Sequence, residues 1–308
     1  MYLQHFGLKE FPFGITPDTD YFFASDGSQQ ALNTLLIAAR TGEGFIKITG
    51  EVGTGKTLLC RKLLGALEPE FKVAYIPNPY LEPQELFKEL ISELSERDDF
   101  KPPDGESLLL RTIGELLVKI HHSGRRAIVC MDEVQAMPIE TLEALRLITN
   151  LETEKKKLLQ VVIFGQPELE EKLAHPSIRQ LKQRIAFEYH LTPMKNREIN
   201  YYVHHRLAVA GYSGPMLFTE QALWLLKLRT RCVPRLVNII CHKAMLCAYG
   251  RGDRRVTFSD VAASIKDTAS ISDTGIGWWF KAVLAGTVVV AIGVWAGMAA
   301  VANGLRIL

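Results

Sequence analysis

The chain has 308 residues, 47% of them hydrophobic and 23% charged, enough to bury the core of one α/β domain and a smaller second one. A formal net charge of +2 supplies no global basic field of the kind that drives nucleic-acid binding. The five cysteines (Cys60, Cys130, Cys232, Cys241, Cys247) form no C-x-x-C pair and join no histidine in a ligand pattern, which argues against a disulfide frame or a zinc site.

Taken from the N-terminus, Met1 to Lys9 has neither the basic start nor the apolar core of a signal peptide. The first strong element is a short apolar strand, Phe45–Thr49. It runs into Gly50-Glu51-Val52-Gly53-Thr54-Gly55-Lys56-Thr57, and a helical pattern follows from Leu58 to Leu67. These eight residues fit G-x-x-x-x-G-K-[ST], the phosphate-binding loop of nucleoside triphosphatases, in its strand–loop–helix setting. The glycines let the backbone turn tightly and aim its N–H groups at phosphate oxygens. Lys56 is expected to reach the β- and γ-phosphates of ATP, and Thr57 to offer its hydroxyl to Mg²⁺. The helix that follows adds its positive N-terminal end.

Further strands are predicted at Lys72–Pro77, Arg126–Met131, Leu159–Gly165 and Ile185–Leu191. Helical patterns at Pro83–Leu94, Glu106–His121 and Ile139–Leu151 lie between them, and Phe100 to Gly105 is a loop. Strands alternating with helices imply a doubly wound parallel sheet, an α/β fold. The apolar run Ala127–Met131 ends in Asp132-Glu133. An acid at the C-terminal end of a buried strand points into the crevice where such sheets bind ligands. Asp132 is placed to hold Mg²⁺ through water, and Glu133 to polarise an attacking water. The dense basic run Lys155-Lys156-Lys157 reads most simply as a solvated helix end, and otherwise as a phosphate or lipid contact.

Thr192-Pro193 closes the sheet, and from Lys195 to Ile265 the pattern is helical, with breaks near Gly211–Pro215 and Gly250–Asp253. Residues 1–44 thus lead into a core of 45–194, followed by a small all-helical lid domain, 195–268, and a juxtamembrane linker, 269–280. The uncharged run Ala282–Ala302, opened by Trp278-Trp279-Phe280-Lys281, is long enough to cross a bilayer, and paired tryptophans suit its interface. A transmembrane helix is therefore expected over 281–303, with a short tail at 304–308. Arg251, Arg254, Arg255, Lys266 and Lys281 precede the span and Arg306 follows it, so the positive-inside rule keeps the large N-terminal part in the cytoplasm.

With the phosphate loop, the acidic strand end and the helical lid in place, the chain resembles the AAA+ ATPases over residues 1 to 268. More narrowly it resembles the ExeA (general secretion pathway protein A) family. The resemblance rests on Met1 to Leu8, Phe11-Pro12-Phe13, Thr16-Pro17-Asp18, Gly42 to Ile46, and Phe164-Gly165-Gln166-Pro167-Glu168-Leu169. Thr57 to Leu63 and Ala74 to Tyr80 resemble the MshM type, associated with the mannose-sensitive haemagglutinin (MSHA) type IV pilus. The resemblance implies further roles. Gln166 stands at the sensor 1 position. Arg184 stands where an arginine finger reaches a neighbouring subunit's site, with Arg179 as the alternative. Arg235, in Val233-Pro234-Arg235, stands at the lid arginine called sensor 2. The family generally has glycine where this chain has Cys232, a position that would favour φ > 0.

A finger supplied in trans implies a homo-oligomer, and AAA+ relatives commonly form rings. The resemblance also implies envelope secretion or pilus assembly proteins as partners, membrane lipid around the C-terminal helix, and a bacterial inner-membrane location. ExeA-type proteins carry a peptidoglycan-binding part after the span, which is not expected in a chain ending at Leu308. Two other readings stand beside this one: an ATP-dependent regulator of the DNA transposition type, against which the near-neutral charge and the span argue, and a nucleotide-gated scaffold with little hydrolysis. Phe11 and Phe13 are candidates for reading adenine or for simple packing.

Overall fold

The computed structural model describes residues 2–95, 101–152 and 157–268. The predicted membrane span, linker and tail, and Lys155 and Lys156, lie outside the described residues. Among the described residues no helix is long and apolar enough to cross a membrane.

The elements in chain order are α1 (Tyr2–Phe6), α2 (Asp26–Thr41), β1 (Phe45–Gly50), α3 (Lys56–Leu67), β2 (Phe71–Ile76), α4 (Pro83–Leu94), α5 (Glu106–His122) and β3 (Arg126–Met131). They continue with α6 (Ile139–Thr149), β4 (Leu159–Gly165), α7 (Glu168–Leu173), α8 (Arg179–Lys182), β5 (Phe187–Leu191), α9 (Ile199–Val209), α10 (Glu220–Thr230), α11 (Pro234–Gly250) and α12 (Phe258–Lys266). The five strands form one parallel sheet in the order β2-β3-β4-β1-β5. Predicted and observed strands differ only at their ends, for local reasons. Pro77 lies outside β2, consistent with its lack of an N–H for the ladder. Ile185 lies outside β5 because its N–H turns back to the carbonyl of Lys182.

Burial on both faces explains why the strands read as nearly continuous apolar runs. Along β3, Ala127, Val129 and Met131 face one core with Leu86, Phe87 and Leu90 of α4 and Leu109, Ile113 and Leu117 of α5. Ile128 and Cys130 face the opposite core with Leu32 and Leu35 of α2 and Leu59 and Leu63 of α3. The two-residue period of the strand therefore serves two helical layers at once. Cys60 and Cys130 are buried in that second core as free thiols.

A third core belongs to α9–α12, and the N-terminal segment joins it. Tyr2, Phe6, Leu8, Phe13 and Tyr21 are buried among Val203, Leu207, Leu223, Val237 and Cys241. Arg206 fastens this segment. Its Nε donates to the Pro12 carbonyl at 2.5 Å and its Nη2 to that of Gly14 at 3.2 Å, with the guanidinium 4.6 Å from the centre of the Tyr21 ring. Phe11 packs edge-on against Tyr2 and His242, and Phe13 against Phe218. Of the two readings of these rings, packing is the one observed.

The hinge from β5 to α9 is held by carboxylates. Glu198 accepts the Asp26 N–H at 2.7 Å and the Lys195 N–H at 2.6 Å, while Asp26 accepts from Lys195 Nζ at 2.8 Å and Arg197 Nη2 at 2.5 Å. At the far side of the helical domain, Asp260 caps α12. It accepts the Thr257 N–H at 2.8 Å and pairs through both carboxylate oxygens with Arg251. Burial alone would raise the Asp260 pKa, but the Arg251 guanidinium and the Thr257 donors outweigh it and hold the carboxyl below its usual range. The folded-state pKa is depressed, so this contribution is complete above the unfolded carboxylate range, about 4, and fades as the pH falls through the lower folded value. Asp260→Ala is expected to destabilise the helical domain by about 1 kcal/mol near neutral pH, because it removes a cap and one of the two carboxylates paired with Arg251. The difference from wild type should shrink below about pH 4, as measured by hydrogen exchange of α11 and α12.

Candidate nucleotide site

In a parallel sheet every strand-to-helix connection emerges at the same edge, and the candidate residues sit on three of these connections. The loop after β1 is built on two glycines with positive φ, Gly53 at +81° and Gly55 at +101°. The Thr54 hydroxyl closes it from within by donating to the Glu51 carbonyl at 2.8 Å. Lys56 opens α3, and its Nζ donates to the carbonyls of Gly50 at 2.8 Å and Glu51 at 3.0 Å, which holds the ammonium over the loop. Burial lowers the Lys56 pKa, against the opposing pull of Glu133 and Asp132.

The connection after β3 brings Asp132 to the loop. Thr57 Oγ1 donates to Asp132 Oδ2 at 2.5 Å, so a hydroxyl and a carboxylate oxygen meet beside Lys56. Two hard oxygen donors at one point are the donor chemistry that Mg²⁺ takes. Burial raises the Asp132 pKa against the lowering effect of the Thr57 hydrogen bond. The next residue, Glu133, adopts φ +54°, a left-handed conformation that is uncommon outside glycine.

The connection after β4 delivers Gln166. Its Nε2 donates to Glu133 Oε2 at 3.0 Å, and Gln135 Nε2 donates to the same oxygen at 2.5 Å. Gln135 also accepts the Gln166 backbone N–H through its Oε1 at 3.0 Å, tying the two connections together. Burial would raise the Glu133 pKa, but the two amides and Lys56 outweigh it and leave the carboxyl below its usual value.

The helical domain closes the roof. The Arg235 N–H donates to the Gly53 carbonyl at 3.2 Å. Its side chain fills the space above the loop, where a Cβ added to Gly53 would stand 2.6 Å from Arg235 Cβ. A cavity of about 180 Å³ remains between loop and roof, bordered by Ile15, Pro17, Tyr202, Arg206 and Asn238 beside the loop residues. Asn238 Nδ2 donates to the Gly14 carbonyl at 3.3 Å, and the Tyr202 hydroxyl donates to Asn238 Oδ1 at 2.8 Å, which sets this wall. The turn into α11 runs through Arg231 at φ +48° and Cys232 at φ +59°. A glycine at position 232 would meet that geometry without strain. Here a thiol occupies it, with Sγ 3.1 Å from Asn196 Oδ1.

The structure thus places Val52, Gly53, Gly55, Lys56, Thr57, Glu133 and Arg235 on one cavity, with Asp132 bonded to Thr57 and Gln166 to Glu133 behind it. Arg184 lies elsewhere: its Nη1 donates to the Thr149 carbonyl at 3.1 Å, at the end of α6. Sequence reasoning missed Gln135, whose signal was a polar residue two positions after Glu133. It also missed the roles of Tyr202, Arg206 and Asn238, for which helical periodicity gives no signal.

A family model described as an AAA domain matches residues 39–173, a stretch that contains the loop, the acid pair and Gln166. Over 297 residues, 96% of the chain, the sequence is 41% identical to General secretion pathway protein A of Aeromonas hydrophila. The chain belongs to the ExeA family. It spans about half of that relative, 54% of its length. The fold of this ExeA-family chain is similar to the crystal structure of Cdc6p from Pyrobaculum aerophilum, with a TM-score of 0.60 and 18% identity over 78% of this chain and 66% of the other. It is also similar to the Aeropyrum pernix ORC2 protein, solved in ADPNP–ADP complexes, with a TM-score of 0.56 and 16% identity over the same shares, 78% and 66%. These likenesses show the fold, an α/β P-loop AAA architecture with a parallel sheet.

Gly53→Ala is expected to separate the roof from the loop, since the new Cβ meets Arg235 at its root and not at a flexible end. Nucleotide affinity measured by titration calorimetry should fall about tenfold or more, with the sheet still folded. Cys232→Gly should leave thermal stability within about 1 kcal/mol of wild type, strain relief offsetting the lost side chain. Cys232→Val should lower it further, because a β-branched residue resists φ > 0.

Proposed function

We propose that this ExeA-family chain is a membrane-anchored AAA+ ATPase that hydrolyses ATP as an oligomer, supporting assembly of a secretion or MSHA-like type IV pilus machine. The observation that carries the reading is the meeting of Lys56, Thr57, Asp132, Glu133 and Gln166 at one edge of the sheet. The secretion assignment draws on the printed name of the Aeromonas relative. The pilus subtype draws on Thr57 to Leu63 and Ala74 to Tyr80, and the membrane anchor on the apolar run Ala282–Ala302.

In this reading ATP lies between the loop and the roof. The loop amides and Lys56 hold the β- and γ-phosphates, and Arg235 approaches from above. Thr57 and Asp132 would hold Mg²⁺, which supplies charge neutralisation on the phosphate oxygens. Glu133 orients a water for in-line attack on the γ-phosphorus and accepts its proton, while Gln166 positions both the carboxylate and the water. Arg184 of a neighbouring copy offsets charge on the transferring group, with Arg179 as the alternative finger. A guanidinium suits that role because it stays charged and forks onto phosphate oxygens. The Thr149 contacts hold Arg184 at a fixed point on the outside of the sheet domain.

A second reading, a nucleotide-gated scaffold with little hydrolysis, is favoured by one observation. Glu133 accepts from two amides, which weakens it as a base. Turnover of the detergent-solubilised chain as a function of its own concentration separates the two. For the hydrolase, specific activity rises with concentration. Glu133→Gln then loses about 10²-fold or more, and Arg184→Ala about 10³-fold, while both still bind ATP. Wild-type turnover no faster than either variant at every concentration would leave the scaffold.

A further inference from the structure

Two amides hold Glu133, and they are not equivalent. Gln135 Nε2 donates to Glu133 Oε2 at 2.5 Å, and Gln166 Nε2 donates to the same oxygen at 3.0 Å. A carboxylate oxygen with two donors stays satisfied when one of them leaves. The chemistry of the site then depends on which amide is free to go.

Gln166 is held by its backbone. Its N–H donates to Gln135 Oε1 at 3.0 Å, and its carbonyl accepts the Leu169 N–H at 3.0 Å. With the main chain fixed on both sides, its side chain can turn without moving the connection after β4. Gln135 has no such freedom. Its amide is engaged at both ends, Nε2 on Glu133 and Oε1 on the Gln166 N–H, so a rotation breaks two bonds at once. Its backbone is anchored as well. Gln135 stands in the single turn Val134–Ala136, and Val134 and Met137 on either side of it are fully buried in the core. The Ala136 N–H donates to the Glu133 carbonyl at 2.9 Å and the Met137 N–H to the Val134 carbonyl at 3.0 Å. Lys172 Nζ of α7 donates to the Met137 carbonyl at 2.8 Å. Gly165 leaves room for the amide: an added Cβ would stand 3.4 Å from Gln135 Oε1 and 2.7 Å from Leu169 Cδ2.

We propose that Gln135 is the positioning residue for Glu133. It keeps hold of Oε2, presents Oε1 to the attacking water, and leaves Gln166 free to turn its Nε2 from the carboxylate to that water or to a γ-phosphate oxygen. The inference rests on the hydrolase reading of the site. Glu133 borders the cavity from a left-handed backbone at φ +54°, with no regular helix or strand to orient its side chain. Held by Gln166 alone, the carboxylate would lose its anchor at the moment Gln166 engages the nucleotide. A misplacement of about 1 Å in such a group is enough to cost about 10²-fold in rate.

The test uses the full detergent-solubilised chain at about pH 8, above the ordinary carboxylate range. Turnover is measured at saturating ATP, and affinity for the non-hydrolysable analogue ADPNP by calorimetry. Gln135→Leu removes both bonds. Its kcat is expected to fall about 10- to 10²-fold, with ADPNP affinity within about twofold of wild type. Gln135→Glu separates the two bonds, since it keeps an acceptor for the Gln166 N–H but loses the donor to Glu133. Its kcat is expected to fall at least as far, while hydrogen exchange shows the Gln166 N–H as protected as in wild type. If Gln135→Glu turns over within about twofold of wild type, the side chain only ties two backbones together and the proposal is overturned. It is overturned equally if Gln135→Leu keeps its kcat, or loses ADPNP affinity in proportion to rate. Wild type that binds ADPNP but hydrolyses no ATP at any protein concentration removes the hydrolase reading, and this inference with it. That failure is distinct from the others, in which wild type is active.

Discussion

The contact on which the rest of this molecule depends is the seat of Arg235 on Gly53. The described chain has separate apolar cores, two on the faces of the sheet and one among α9–α12 with the N-terminal segment. Neither unit needs the other to bury its leucines. Over the phosphate loop they meet through a backbone hydrogen bond and a side chain filling the volume that a missing Cβ leaves at Gly53. A glycine that the loop requires for its turn thereby becomes the socket for the roof. Loop conformation and roof position cannot change independently, since movement of either opens the same interface.

The polar part of the site is built on a similar economy. Gln135 bonds to the Glu133 carboxylate with its nitrogen and to the Gln166 backbone with its oxygen. One side chain therefore registers the connection after β3 against that after β4. The left-handed backbone at Glu133 is tolerated because these bonds and the Asp132 cap over-determine the turn. The result holds the acid with its charge already favoured and its basicity reduced.

Much of this was legible in the residues because strand burial and loop chemistry are local. The Phe45 run, the glycine spacing and Asp132-Glu133 each announce themselves within a few positions, and helices at Pro83 and Glu106 begin where their patterns begin. What was not legible depends on long-range packing. Tyr202, Arg206 and Asn238 read as ordinary lid-helix positions, and only the return of the N-terminal segment to α9 and α11 makes them a wall of the cavity. Phe11 and Phe13 attracted attention as aromatic groups near the start, yet their rings turn toward His242 and Phe218.

The union of the first twenty residues with the last described helices has a consequence for how the protein is made. Tyr2, Phe6 and Phe13 are translated well before their partners Val237, Cys241 and Met245. The sheet can assemble around its own leucines while these rings are still exposed to solvent, so nascent chains present a sticky segment until α11 has been made. Arg206 and Arg235 can then take their places, and the wall and roof of the cavity are completed together. Completion of the cavity is in this way coupled to synthesis of α11.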